Sequence, residues 1–311
     1  MSTSVNIVAI SRADAPVLAS EEQIFAALSA VEGLEVEAGL FMEVPASQVK
    51  GEAPGPAYQV YIAAAEWQRG SVDDARGALG LLDSPSSLGF DLNVVPAELA
   101  NDEKKLLIMD VDSTLIRQEV IDELAAAAGR KEEVAEVTER AMRGELDFEE
   151  SLRERVATLA QLDESVIADV AAKVQLSPGA TRLVDVFLAA GHEVAVVSGG
   201  FVQVLEPLAA RLNLSKARAN VLEIEDGKLT GQVTGQVVTG EVKRESLKEW
   251  AKEFDIKPSQ TIAVGDGAND VLMILEAELG VAFNAKTALL EVADAQINTL
   301  RLDAVRHLAG L

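Results

Sequence analysis

Residues 106–114 read LLIMDVDST, a short apolar run that ends abruptly in two aspartates spaced two apart. Such a run is typical of a strand buried in a parallel sheet, where chemistry lies just beyond the carboxyl ends of the strands. Asp110 and Asp112 would then lie at the active edge of the sheet as metal ligands, as a nucleophile or as both. An ordinary Asp-rich turn is the alternative interpretation of this stretch taken alone.

Three further segments are predicted to meet the same edge. VSGG, residues 197–200, ends one apolar strand, and GDGAND, residues 265–270, follows another. Lys243 lies near the start of a helix predicted over residues 241–254. Each segment alone is common in loops or on solvated helices. Their joint order, each at a strand end or a helix start, indicates a single site.

The residue types in these segments suit phosphoryl transfer through a covalent intermediate. Asp110 can attack phosphorus and form an acyl phosphate, and Asp112 can then serve as general acid and base. Magnesium prefers oxygen ligands, and Asp110 and Asp266 come from neighbouring strand ends. Hydrogen-bond donors to the phosphate oxygens would be the Ser198 hydroxyl, the Gly199 N–H and the Lys243 ammonium.

Composition excludes several other classes of function. The 311 residues include 51 Asp and Glu against 27 Lys and Arg, a net charge of -24, which argues against nucleic acid and anionic membranes as partners. The absence of cysteine excludes disulfides, thiolate catalysis and Cys-ligated zinc. We expect no signal peptide and no membrane span, because no stretch reaches the ~18 apolar residues that a span needs. The expected location is cytoplasmic.

Two units are predicted along the chain, joined by a charged linker at residues 98–105. Residues 1–100 have the predicted order βαββαβ, which indicates a ferredoxin-like sandwich and is similar to ACT-type regulatory domains. Residues 104–311 predict an α/β unit with a parallel sheet, interrupted by a helical insertion at about 118–183. Predicted strands of the first unit are 5–10, 34–44, 58–64 and 90–95, with helices at 21–31 and 72–82. Predicted strands of the second are 106–109, 193–197 and 261–264, with an extended segment at 233–239.

The second unit resembles the phosphatases of the haloacid dehalogenase superfamily, whose signatures run DxDx[T/V], Ser/Thr, Lys and GDxxxD. All four are present without substitution, beginning at Asp110, Ser198, Lys243 and Gly265. The resemblance implies a Rossmann-like parallel sheet with a helical cap inserted over the strand ends. It covers about two thirds of the chain and does not extend to the first 100 residues.

Further segments resemble the phosphoserine phosphatase family within that superfamily. They are DVDSTLIRQE at 110–119, RGELDFEESLRER at 143–155 and SGGF at 198–201. The resemblance implies Mg2+-dependent hydrolysis of O-phosphoserine to serine and phosphate, the last step of serine biosynthesis. The intermediate would be an aspartyl phosphate on Asp110.

The same resemblance implies a role for each candidate residue. Asp110 would be the nucleophile and Asp112 the general acid and base. Magnesium would be held by Asp110, the backbone carbonyl of Asp112 and Asp266, with Asp270 supporting the metal site. The substrate-binding residues would be Ser198, Gly199 and Lys243 for phosphate, Glu119 for the ammonium, Arg155 for the carboxylate and Asn269 for closing the site.

Several alternatives stay open at the level of the sequence. The substrate could be another small phosphorylated metabolite, or the enzyme could pass the phosphoryl group to an alcohol rather than to water. A ligand sensor with an inactive phosphatase core belongs to a different class, and intact Asp110, Asp112, Lys243 and Asp266 argue against it. The first unit could bind an amino-acid effector, form a homodimer surface or be a passive appendage.

Overall fold

The computed structural model describes residues 2–80, 88–143 and 145–311. Within these ranges the chain forms an antiparallel sheet near its N-terminus and a larger, mostly parallel sheet in the remainder. The elements of the first part are β1 Thr3–Ser11, α1 Glu21–Ser29, β2 Leu34–Val36, β3 Leu40–Val44, β4 Tyr58–Trp67, α2 Val72–Gly80 and β5 Phe90–Pro96.

The N-terminal sheet has the strand order β2-β4-β1-β5, with β3 also paired to β4, which matches the predicted ferredoxin-like arrangement. Its central strand alternates between two buried faces, as the two-residue period of a strand requires. Val5, Ile7 and Ala9 pack in one apolar cluster with the buried faces of α1 and α2. Val8 and Ile10 point the other way and join the core of the larger sheet.

The structure divides the strand predicted at 34–44 into β2 and β3, which lie one after the other along β4. The break lies beside Gly39, where a Cβ atom would approach the Tyr61 ring to 2.3 Å. The chain can therefore pass this bulky ring only at a residue without a side chain. The helix predicted at 72–82 is α2, and its predicted end at Leu82 lies outside the described residues.

The larger sheet has the strand order β12-β11-β10-β6-β7-β8-β9, parallel except for the β8–β9 hairpin. All four residues of β6 are fully buried because helices cover both faces of the sheet. Of the segment predicted as extended at 233–239, only residues 233 and 234 belong to β9. The strands are β6 Leu106–Met109, β7 Glu193–Phe201, β8 Lys216–Glu225, β9 Lys228–Thr234, β10 Thr261–Gly265, β11 Leu279–Phe283 and β12 Ala295–Ile297.

In the described part of the chain, five helices, α3–α7, separate β6 from β7, and the first four lie where the sequence predicts the insertion. The chain then enters α7, which packs beside β7. The predicted boundaries at 1–100, 104–311 and 118–183 stay predictions. The helices of this part are α3 Val120–Ala127, α4 Lys131–Met142, α5 Phe148–Ala157, α6 Ser165–Ala171, α7 Ala180–Ala189, α8 Val202–Leu212, α9 Gly240–Glu253, α10 Val271–Glu276, α11 Thr287–Leu290 and α12 Val305–Leu308.

The two sheets meet edge to edge at β5 and β12. The Asn93 side chain accepts the Gln296 N–H at 2.8 Å, and the Asp91 carboxylate accepts the Asn298 N–H at 2.6 Å. Within the stretch predicted as a linker, Leu99 is fully buried. The N-terminal part is therefore packed against the larger sheet rather than tethered to it. No helix among the described ranges has the length and hydropathy needed to cross a bilayer.

Candidate active site

The residues predicted for catalysis and binding gather at the carboxyl edge of β6, β7 and β10. A cavity of about 170 Å³ lies there, between the sheet edge and the helices α3 and α5. Its lining includes Asp110, Asp112, Glu119, Arg155, Gly199, Asp266 and Asn269. The remaining three candidates do not line the cavity but contact aspartates that do: Ser198, Lys243 and Asp270.

Lys243 is fully buried between two carboxylates. Its ammonium lies 2.8 Å from Asp110 Oδ1 and 2.7 Å from Asp270 Oδ1. Burial disfavours the charged ammonium, but the Asp110 and Asp270 carboxylates outweigh it and raise the pKa of Lys243. Helix α9 thus delivers a permanent positive charge to the end of β6.

Asp110, Asp266 and Asp270 form a buried acidic cluster. One oxygen of each carboxylate lies within 4.8 Å of the others. Burial and the nearby Asp270 raise the pKa of Asp110, and burial raises the pKa of Asp266 to about 6. A cation among these oxygens would offset this charge, and hard oxygen ligands suit magnesium. The donor set therefore fits a divalent ion.

Asp270 has protein partners at both of its carboxylate oxygens. Oδ1 binds Lys243, and Oδ2 accepts the N–H groups of Asp266 at 3.2 Å and Gly267 at 3.1 Å. These bonds fix the loop after β10 and aim Asp266 at the cavity.

Asp112 lies in a turn that orients its carboxylate toward the cavity. One oxygen accepts the Val120 N–H at 2.9 Å, and the other accepts the Ser198 hydroxyl at 3.1 Å. Burial, followed by the charge of Glu119, raises the pKa of Asp112 to about 7. A carboxyl group with this pKa can both give and take a proton near neutral pH.

The two glycines after Ser198 leave room for this arrangement. A Cβ atom at Gly200 would lie 2.6 Å from Asp112 Oδ2, and one at Gly199 would lie 2.9 Å from the Phe148 ring. Side chains at these positions would displace the candidate acid and the ring that covers the cavity.

Glu119 and Arg155 bring opposite charges to the cavity from the inserted helices. Glu119 immediately precedes α3 and accepts the Ser113 hydroxyl at 2.8 Å. Arg155 belongs to α5, whose first turn is fixed by reciprocal bonds between Asp147 and Glu150. Burial lowers the pKa of Arg155, while Glu119 opposes the shift. Its guanidinium stays charged at neutral pH.

Lys286 also lines the cavity, and it is not among the predicted site residues. Its ammonium lies 3.5 Å from Asp266 Oδ2, and its side chain is 73% exposed. The signal was the apolar run Leu279–Phe283, which forms β11 and brings the following loop to the same sheet edge. Ile121 and Leu152 were also missed, and they supply apolar lining.

A family comparison agrees with this sheet and this order of residues. The model of the family described as "haloacid dehalogenase-like hydrolase" matches residues 107–274, and the chain belongs to that family. The matched range includes β6 from its second residue, the inserted helices and the loop after β10.

Similar proteins carry the name phosphoserine phosphatase. One from Streptomyces coelicolor is 48% identical over 250 residues, covering 80% of this chain and 61% of the relative's length. The chain thus spans about three fifths of that relative. A crystal structure of a probable phosphoserine phosphatase from Vibrio cholerae is 32% identical with a TM-score of 0.71, covering 98% of this chain and 86% of the other. A phospho-aspartyl intermediate analogue of phosphoserine phosphatase is 42% identical with a TM-score of 0.63, covering 66% and 98%.

Proposed function

We propose that the protein hydrolyses O-phosphoserine to serine and inorganic phosphate. The observation that carries the proposal is the charge layout of one cavity. Asp110, with Lys243 beside it, lies at the sheet edge, while Glu119 and Arg155 reach the same space from the inserted helices. O-phosphoserine carries a phosphate, an ammonium and a carboxylate, so each of its charged groups has a counterpart. The names of the relatives support the same substrate.

Asp110 and Asp112 would share the bond-making steps. An Asp110 oxygen attacks phosphorus, the bond between phosphorus and the serine oxygen breaks, and neutral Asp112 donates its proton to that oxygen. Asp112, now ionised, then takes a proton from water. The water oxygen attacks phosphorus, and breaking the Asp110–phosphorus linkage releases phosphate and restores the carboxylate.

Phosphate binding would fall to donors that already surround Asp110. The Lys243 ammonium lies 2.8 Å from Asp110 Oδ1, within reach of a phosphoryl group transferred to that carboxylate. The Ser198 hydroxyl and the Gly199 N–H would donate to the other phosphate oxygens. Asn269, whose amide lies 3.4 Å from Asp110 Oδ2, would help close the site.

Magnesium is the cofactor that we propose for this site. Asp110, the backbone carbonyl of Asp112 and Asp266 would hold it, and Asp270 would position these ligands through Lys243 and the loop after β10. The ion supplies charge neutralisation between the carboxylate and the incoming phosphate. Asp266 has Lys286 as its ionic partner at 3.5 Å, a long contact that an ion could replace.

The direct test measures phosphate release from a panel of phosphorylated metabolites. We expect rapid release from O-phosphoserine with Mg2+ and loss of release after chelation, restored when Mg2+ is returned. The panel should include O-phosphoethanolamine, O-phospholactate and an aryl phosphate. Cleavage of another member in preference to O-phosphoserine would keep the chemistry but overturn the substrate. No release from any member would favour the ligand-sensing alternative.

Arg155 should control recognition of the substrate carboxylate. We expect Arg155→Met to lower kcat/KM for O-phosphoserine by about 10- to 100-fold, the range for a lost charge-assisted hydrogen-bond pair. For O-phosphoethanolamine, which has no carboxylate, the same change should have little effect. Steady-state kinetics on both substrates measures the difference.

Arg153→Met is the matched control for this prediction. Arg153 belongs to the same helix but pairs with Glu149 at 2.7 Å, and neither residue lines the cavity. It should leave both substrates unaffected. Equal losses on the two substrates in Arg155→Met would remove Arg155 from carboxylate recognition.

A further inference from the structure

The inserted helices α3–α6 connect to the sheet through two adjacent segments. The chain leaves at residues 115–118 and returns at residues 175–177, which we call the hinge pair. The Arg117 N–H donates to the Gln175 carbonyl at 3.1 Å, and the Ser177 N–H donates to the Leu115 carbonyl at 2.9 Å. The two segments therefore form a small antiparallel ladder at the covalent connections of these helices, which also bond to β9 through Gln161 and Leu162.

A third segment, residues 51–53 of the N-terminal part, pairs with the hinge pair. The Leu176 N–H donates to the Gly51 carbonyl at 3.2 Å, and the Ala53 N–H donates to the Leu176 carbonyl at 3.1 Å. Both backbone polar groups of Leu176 are thus bound by a part of the chain that carries none of the candidate catalytic residues. Leu176 and Ala53 are buried, so water does not compete for these bonds.

Glu52 adds a charged contact to the same junction. Its Oε2 accepts the Gly179 N–H at 3.1 Å, and its Oε1 accepts the Thr181 N–H at 2.6 Å. Both donors lie at the start of α7, where the helix leaves N–H groups without internal partners. The Glu52 side chain is buried, and its carboxylate therefore fixes the loop at residues 51–53 to the start of α7, just after the returning segment.

The loop that carries Glu52 is itself held at both ends. Ser47 and Gly55 exchange two backbone hydrogen bonds, each of 2.9 Å. One nitrogen of the buried Arg301 guanidinium donates to the carbonyls of Pro45 at 3.0 Å and Pro56 at 2.9 Å. The loop is thus a braced support for the hinge pair.

We propose that residues 51–53 act as a clamp on the hinge pair and that Glu52 is a positioning residue for the reaction. The inference deepens the proposed function and rests on it for the substrate. Glu119 follows Ile116 by three residues, and Arg155 lies on α5, between the two hinge segments. The orientation of the hinge pair therefore sets where both charges stand relative to Asp110. Hinges of this kind absorb the backbone changes of domain closure.

Through the clamp, the N-terminal part can influence the position of the substrate-binding residues in the active site. A displacement of its loop by any ligand or partner would pull directly on Leu176 and on the start of α7. The KM of substrates that contact both Glu119 and Arg155 would change most. A phosphoester without ammonium and carboxylate groups would be nearly insensitive to it.

Glu52→Ala tests the clamp with two independent readouts. We expect faster hydrogen–deuterium exchange at residues 115–118 and 175–181. We also expect a higher KM for O-phosphoserine, by up to about fivefold, the limit reached if the whole capping contribution of the carboxylate is lost from the substrate-bound arrangement. The KM for p-nitrophenyl phosphate should stay unchanged. Glu52→Gln keeps one carbonyl acceptor and should give smaller shifts in the same direction.

Glu35→Ala is the control, because Glu35 is an exposed residue of β2 in the same N-terminal sheet. It should match the wild type in both readouts. Unchanged exchange at the hinge pair in Glu52→Ala, or equal losses on both substrates, would overturn the clamp. If Glu52→Ala does not fold, the same readouts on Glu52→Gln decide the question. If the wild type does not hydrolyse O-phosphoserine, the proposed function fails. Hydrogen–deuterium exchange at the hinge pair still tests the clamp in that case.

Discussion

Asp110→Asn should lower kcat for phosphate release by about 10⁴-fold or more, because a neutral amide cannot form the acyl phosphate. Its amide is close in shape to the carboxylate, so the cavity should keep its form and still bind substrate. A phosphate-release assay at high enzyme concentration measures the residual rate. Mass spectrometry of acid-quenched wild-type enzyme should detect one added phosphoryl group that the variant lacks.

Asp110→Asn should not lower the stability of the protein, although it lowers the activity. The change removes one charge from the buried acidic cluster, while Lys243 keeps its bond to Asp270 at 2.7 Å. We therefore expect a melting temperature equal to or above that of the wild type. Asp185→Asn, at an exposed position on α7, is the control and should change neither property. A variant at Asp110 that keeps a tenth of wild-type activity would exclude the nucleophile role.

Asp303→Asn should lower the free energy of unfolding by about 3–5 kcal/mol, the cost of leaving a buried charge without its partner. Arg301 and Asp303 are both fully buried and form two parallel bonds, at 2.8 Å and 2.9 Å. The same guanidinium holds the loop that carries Glu52. Urea unfolding of the variant and the wild type measures the difference.

The surface pair Arg69–Glu32 gives the matched control for Asp303→Asn. Both side chains are more than half exposed, so Glu32→Gln should change the free energy of unfolding by less than about 1 kcal/mol. A loss of the same small size in Asp303→Asn would contradict the prediction. It would mean that water or a nearby carboxylate replaces Asp303 around Arg301.

Local patterns were sufficient to predict three central strands of the parallel sheet and the edge at which the candidate site residues gather. The run at 106–109 matches β6 residue for residue, and the runs at 193–197 and 261–264 lie within β7 and β10. Strands buried on both faces consist of continuous apolar residues, which makes them visible in the sequence. Because parallel strands share one carboxyl edge, the residues after them had to meet.

The β8–β9 hairpin was not predicted, although the sequence contains the Asp-Gly pair typical of its turn. Asp226 and Gly227 both adopt positive φ, at 48° and 75°, as an Asp-Gly hairpin turn requires. Polar and charged residues interrupt the strands around it, so no continuous apolar run reveals them. The turn residues would have located the hairpin.

Contacts between distant segments could not be predicted from local patterns. The approach of Glu52 to the start of α7 joins residues more than 120 positions apart in the chain. Periodicity describes one element at a time and carries no information about such packing. The cytoplasmic location, the amino-acid effector, the homodimer and the ACT-like character of residues 1–100 stay predictions.

The meeting of β5 and β12 has a consequence for how the protein behaves at high concentration. β12 ends the larger sheet, and an uncovered edge strand is a template for pairing with another molecule. Asn93 and Asp91 engage the N–H groups of Gln296 and Asn298, which point away from β11. Side chains from the smaller sheet thus satisfy the donors without continuing the ladder. We therefore expect the N-terminal part to shield this edge of the larger sheet from pairing with another molecule.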